Sequence, residues 1–263
     1  MGNAVDKTAA PGEDDRRAAY RRAVPSAALA AALAAPPPRT LAETIALMRA
    51  IERALPRNDG VAWFTRLYLA VTEGVSEAIG RSRFRDERFV AALDVAFANL
   101  YFAALREHAR DPAAVPKAWA PLIEARAHRR VAPIQFALAG MNAHINRDLP
   151  VALVETWRRG GGMPRRGSAQ HGDFLRVNAL LAETEARVKV VFARGVVGDL
   201  DRAFGSVDDV IAIWNVERAR DAAWVNGETL HALRAVPTLA NRFLSTLDRM
   251  VGFAGRGLLR PLV

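Results

Sequence analysis

Cysteine is absent from the 263-residue chain, which removes disulfides, thiolate metal ligands and a cysteine nucleophile in one step. Lysine is scarce, occurring only at Lys7, Lys117 and Lys189, so nearly all the positive charge behind the net +9 is arginine. Those arginines are scattered, with no basic run interleaved with aromatics. The charge therefore lacks the footprint of a nucleic-acid-binding face, and nucleic acid is disfavoured as a partner. No run approaches the roughly 18 apolar residues of a bilayer-crossing helix. The nearest, residues 23–35, is alanine-rich, follows Glu13, Asp14 and Asp15, and stops at Pro36, Pro37 and Pro38, a poor match to a leucine-rich export signal. A cytoplasmic protein without a membrane span is the expectation. Strict alternation of apolar and polar residues between turn signals is missing too, so no sheet is expected. Glycines 160–162 neither follow a strand nor precede a lysine–threonine pair, which excludes a phosphate-cradling loop.

What is present is a helical sequence. Hydrophobic residues make up 51% and charged residues 25%, enough apolar material for a core and too much for a disordered chain. The periodicity predicts an all-α fold: a single bundle of about eight to nine helices over residues 39–263, behind a disordered Ala/Pro-rich tail at 1–38. Thr40 and Glu43 form a capping box opening a helix to about Leu55, before Pro56. A second runs from about Val61 to Ile79 with Phe64, Tyr68, Val71 and Val75 inward. Asp86 caps a third, to about Ala109. Pro116 and Pro121 frame a shorter helix to about Arg130. Pro133 opens the next, which Pro150 is expected to end. Further helices are expected at about 173–193, with Asp173 as N-cap, at 207–234 and at 238–253.

Polar residues that intrude on apolar faces mark candidate chemistry, because a buried charge must be paired, coordinated or neutralised. At ~100° per residue, Asp94 falls in the middle of the stripe formed by Val90, Phe97, Ala98, Tyr101 and Leu105. Residues 140–149 read Gly-Met-Asn-Ala-His-Ile-Asn-Arg-Asp-Leu. On that helix His144 and Asp148 are i,i+4 neighbours on one shoulder of the apolar arc, and Asn142 and Asn146 on the other. The histidine and aspartate can share one metal ion, or the aspartate can orient the imidazole as a general base, or both can be a core hydrogen bond. The asparagines suit a bridge to another helix. In the 207–234 segment Arg218 and Asp221 share the face of Val207, Ile211 and Trp214. They are expected either to neutralise each other or to hold an anionic substrate group, with Trp224 at the edge. His128 is a candidate third ligand.

The 140–149 run resembles a family of bacterial all-helical proteins known as a domain of unknown function. The likeness extends to Leu93-Asp94-Val95, Phe97 and Tyr101, to Asp173, Phe174 and Asn178, and to Arg218, Arg220, Asp221 and Trp224. It implies an all-α fold and carries no catalytic assignment. His144 and Asp148 followed by Pro150 also resemble the His-x-x-x-Asp motif of helical zinc-dependent phospholipase C and nuclease proteins, in which both residues ligate zinc. The next histidine of that pattern is replaced here by Val151-Ala152-Leu153-Val154.

The leading expectation is thus an enzyme acting on a small-molecule substrate in a helical core, with hydrolase-like chemistry. A divalent metal is the candidate cofactor, held by His144, Asp148 and Asp94. Arg218 joins these three as a catalytic candidate, and Tyr101, Asn142, Asn146, Asp221 and Trp224 are candidate substrate contacts. The alternatives are a di-metal oxidase-like or cofactor-independent helical enzyme, and a non-enzymatic protein that binds an apolar ligand or a partner.

Overall fold

The computed structural model describes residues 27–181 and 216–261, and every regular element among them is helical. Local signals start most helices where the sequence places them. The Thr40 side chain accepts the Glu43 N–H while the Glu43 carboxylate accepts the Thr40 N–H, opening Leu41–Ala54 (α2). Asp59 accepts from Val61 to open Gly60–Gly80 (α3), and Asp86 accepts from Phe89 to open Glu87–Arg110 (α4). Each cap satisfies an N–H that the first helical turn leaves without a partner.

Two expectations change and one is qualified. Residues 27–38, assigned to a tail by composition, are built into the packed body. Ala27–Leu33 is a helix (α1) whose Leu29 and Leu33 are buried in the core. Arg106 donates to the Leu33 and Ala35 carbonyls, and Asn99 to that of Pro38. Alanine conceals this role in the sequence, because two leucines four apart make too short a stripe to register. Residues 1–26 lie outside the described residues. Second, although no clear membrane span is present, α4 is long and apolar enough to cross a membrane by length and composition, and it is mostly buried by protein. Its apolar surface faces other helices. Third, the helix framed by Pro116 and Pro121 is only Ala120–Ala125 (α5). Beyond it Arg126 turns inward, placing its guanidinium on Asp59 at 2.7 and 2.8 Å and its carbonyl on the Gly60 N–H.

The most consequential departure is at Pro150. The proline does not end its helix. Pro133–Ala143 (α6) continues through one π turn, His144–Asp148, into Leu149–Arg159 (α7). A proline ring clashes with the carbonyl four residues back and supplies no N–H. The wider π turn accommodates both effects, its bond running from the Leu149 N–H to the His144 carbonyl. Such turns occur disproportionately at functional sites. The resulting rod from 133 to 159 lies at the centre of the molecule. It packs against α3, α4, Val216–Leu233 (α9) and Pro237–Leu258 (α10), with a further helical segment at 169–181 (α8).

Close approach sets the rod's position. A Cβ at Gly140 would collide with the Phe64 ring, so α3 and α6 meet with nothing between backbone and ring. Asn142 donates to the Val251 carbonyl of α10 at 2.9 Å and accepts from Asn146 at 3.1 Å. Gln135 donates to the Leu258 and Arg260 carbonyls at the end of α10. Asn142 and the glutamine thus tie the rod to α10, and Asn146 holds the Asn142 side chain from within the rod.

Candidate functional site

The π turn carries His144 and Asp148 into the interior, where both are buried. Asp148 Oδ2 lies 3.3 Å from His144 Nδ1 and accepts the Trp119 indole N–H at 2.9 Å, while Oδ1 accepts from Arg147 at 2.7 Å. Arg147 also lies 3.6 Å from Asp248, whose carboxylate accepts the Lys117 and Ala118 N–H groups. A carboxylate paired with a guanidinium can only accept, so the hydrogen between Asp148 and His144 belongs to Nδ1. That leaves the Nε2 lone pair. Nε2 is buried and has no hydrogen-bond partner. Burial disfavours the charged imidazole and lowers its pKa, against the opposing pull of Asp148, which favours the neutral base.

Aromatic rings fix the imidazole plane. Phe97 stacks on it in parallel at 3.4 Å, and the Tyr68 ring meets it edge-on at 4.4 Å. The Tyr68 hydroxyl is likewise buried; its side-chain hydrogen-bond neighbour is the Thr72 hydroxyl one turn along α3, and neither group has a partner beyond the other. Burial first, then the carboxylates of Asp94 and Asp148, push the Tyr68 pKa well above its ordinary value. The phenol therefore stays protonated and can donate.

Asp94 lies one turn before Phe97 on α4. Its Oδ2 is buried without a partner, and burial raises its pKa to about 7 despite the attraction of Arg220. Asp94 and His144 each keep an unpartnered atom, and the Tyr68–Thr72 hydroxyl pair has no partner beyond itself, so these groups surround one aromatic interior with unused hydrogen-bonding capacity. Buried polar groups are normally satisfied by protein or ordered water, so such a cluster is where a ligand or water gains the most.

The candidates read from sequence separate accordingly. His144, Asp148 and Asp94 come to the same region of the core. Tyr101 does not serve it, because its hydroxyl is 2.6 Å from that of Thr65. Arg218 and Asp221 are exposed on the outer face of α9, which corrects their reading as a buried pair. The inward face expected for them includes Val207, Ile211, Trp214 and Val225; the first three lie outside the described residues, and Val225 is exposed. The buried face of α9 instead carries Arg220, Ala223, Trp224, Gly227 and Leu230. Trp224 donates to Glu228 within its own helix. Asp173 is no cap of its own helix either: fully buried, it accepts the Arg85 and Asp86 N–H groups in front of α4, while Ser168 caps α8.

A shared divalent metal fits these residues poorly. Both Asp148 oxygens already accept from Trp119, His144 or Arg147, and Nδ1 faces the carboxylate. His128 is exposed and accepts the Arg130 N–H. Among the described residues no group of three or more His, Asp or Glu gathers as metal ligands would. Sequence reasoning missed Tyr68, Trp119, Arg147 and Arg220. Tyr68 did carry a signal, since a tyrosine in the middle of an inward stripe brings a hydroxyl that needs a partner. Trp119 and Arg147 become legible only once the π turn brings them to Asp148.

A model of DUF5995, a family of unknown function, matches residues 41–261 of the chain, and the chain belongs to that family. No curated protein and no solved structure matches it.

Proposed function

We propose that this DUF5995 protein is a small-molecule enzyme that works by general acid–base chemistry in its helical interior, without a bound metal in the catalytic step. The observation that carries the reading is the His144 imidazole, held at Nδ1 by Asp148 with Nε2 buried and unpartnered. This is the arrangement by which a carboxylate fixes the tautomer and plane of a catalytic base. Nε2 takes a proton from a water or a substrate hydroxyl. The resulting imidazolium is stabilised by Asp148, itself anchored by Trp119 and Arg147, and the same proton then passes to the leaving group. The Tyr68 hydroxyl, beside the imidazole, donates to the oxygen on which negative charge develops. Hydrolysis or another polar transfer fits this set of groups.

His144→Gln keeps a polar side chain of similar reach and removes the base. Its turnover in a screen of small hydrolysable compounds should fall about 10²–10⁴-fold, the usual contribution of a general base. Nitrogen NMR of His144 at pH 7.5 should show Nδ1 protonated and Nε2 bare. Protonated Nε2, or a folded His144→Gln variant as active as the parent, sinks the reading in favour of a structural hydrogen bond.

A further inference from the structure

The buried arginine of α9 has no counter-ion in contact with it among the described residues. Arg220 is only 5% exposed. Its Nε donates to Asn178 Oδ1 at 2.6 Å and its Nη2 to the Phe174 carbonyl at 2.9 Å, and the guanidinium lies 4.4 Å over the Phe174 ring. Every one of these partners is neutral. Among the described residues no carboxylate forms an ion pair with it, although salt bridges occur elsewhere around the fold. Burial lowers its pKa to about 10, with the exposed Asp221 and then Asp94 drawing it back up, so the side chain is cationic at neutral pH.

A buried charge held by neutral acceptors is costly unless a counter-charge completes it. Asp221 and Asp94 both act on it electrostatically, yet among the described residues neither is hydrogen-bonded to it, and none accepts a hydrogen bond from Nη1. Three neutral contacts hold the guanidinium in one plane, and planar presentation of unused N–H groups is how arginine binds carboxylate and phosphate. Asp94 links this group to the base: it acts electrostatically on both Arg220 and Tyr68, and it stands one turn from the Phe97 ring stacked on His144. α9 itself packs against the π turn.

We propose that Arg220 is the anion-recognition group of the site, and that the substrate is a small organic molecule bearing a carboxylate or phosphate that Arg220 binds while its reacting end lies at Tyr68 and His144. This assignment rests on the acid–base reading of His144 for the second half of the statement. It differs from the sequence expectation for Arg218, which the structure places outside. Asp94, when protonated, donates a second hydrogen bond to the same anion. The two anions share this chemistry and differ in charge and in number of acceptor oxygens.

The test is binding of two probes, benzoate and phenyl phosphate, with benzamide as the neutral control, followed in the full-length protein by the Arg220 Nε–H signal in nitrogen-edited NMR and by melting temperature. At least one anion should shift the Arg220 signal saturably and raise the melting temperature, while benzamide does neither. The probe that binds more tightly identifies carboxylate or phosphate as the substrate group. Arg220→Gln should weaken binding at least tenfold. Should that variant not fold, the Arg220 signal of the parent protein decides alone. Binding of neither anion, or binding that leaves Arg220 unperturbed, overturns the proposal. Because the readout is at Arg220 and needs no turnover, it can fail while His144 remains a demonstrated base, and it can succeed while His144→Gln stays fully active.

Discussion

At the scale of single residues, the interior is governed by which polar atoms the fold satisfies. Asp148 is completely engaged, whereas Asp94 and His144 each retain an unused atom and the Tyr68 and Thr72 hydroxyls have no partner beyond each other. The two carboxylates consequently differ in kind. Asp94 has a folded pKa of about 7, above the ordinary unfolded carboxylate value, so the native state holds its proton more tightly than the unfolded chain does. Its contribution is therefore fully favourable below the unfolded pKa and is lost as pH rises through about 7. Asp94→Asn should leave the melting temperature nearly unchanged at pH 4 and raise it at pH 8, measured by thermal denaturation across that range. His144 has the opposite sign. Its lowered pKa gives stability that is present above the unfolded histidine value and is lost as pH falls through the folded one. In the Asp94→Asn background the loss of stability that begins below about pH 6.5, where unfolded histidine titrates, should become shallower when His144 is also replaced by Gln, the loss at lower pH belonging to paired carboxylates such as Glu228. Persistence of the full acid slope in the double variant would assign it elsewhere.

At the scale of elements, the central rod shows where helix signals succeed and where they mislead. Caps at Thr40 and Asp86 depend on residues within three positions and are readable as local patterns, whereas the Asp59 cap is seen only in the structure. Pro150 was misread because a local rule says that proline ends a helix, while the surrounding helices hold this one together through a π turn. The phase of α9 failed for a related reason. A helical wheel set on 207–214 does not describe the part that packs on the rod, and Arg220 takes the place expected for Arg218. Contact between elements decides such cases, and Gly140 is the clearest example. Gly140→Ala forces a methyl group into the Phe64 ring, which itself packs against Tyr68, Tyr101 and Trp119. The expected cost is about 1–3 kcal/mol from overpacking, measured by denaturant unfolding. Because Phe64 also touches the His144 ring, the same variant should move the His144 side-chain resonances. A Gly140→Ala protein with unchanged stability would mean that the helices separate more easily than this packing allows.

At the scale of the molecule, segments distant in sequence close over the rod. α1 reaches across α4, and Leu29 and Leu33 complete the core with 1% and 5% exposure. Each of Leu29→Ala and Leu33→Ala should destabilise the protein by about 2–5 kcal/mol, the range for a buried leucine that leaves a cavity. Urea titration of the two single variants measures it, and values below about 1 kcal/mol, the scale of a surface change, would return this segment to the tail that its composition suggested.

The all-helical class, most helix starts and the intrusion of His144, Asp148 and Asp94 on the apolar interior were determined by the sequence itself, because caps, periodicity and a charge inside an apolar stripe are local properties spanning one to three helical turns. The tertiary structure alone decided which lone pairs stay unused. Trp119 and Arg147 take up Asp148, Asn142 turns to α10, Tyr68 rather than Tyr101 presents a hydroxyl beside the imidazole, and Arg220 rather than Arg218 is buried. Each outcome depends on a partner contributed by another part of the fold, and hydrogen bonds and burial between distant segments leave no periodic trace along the chain.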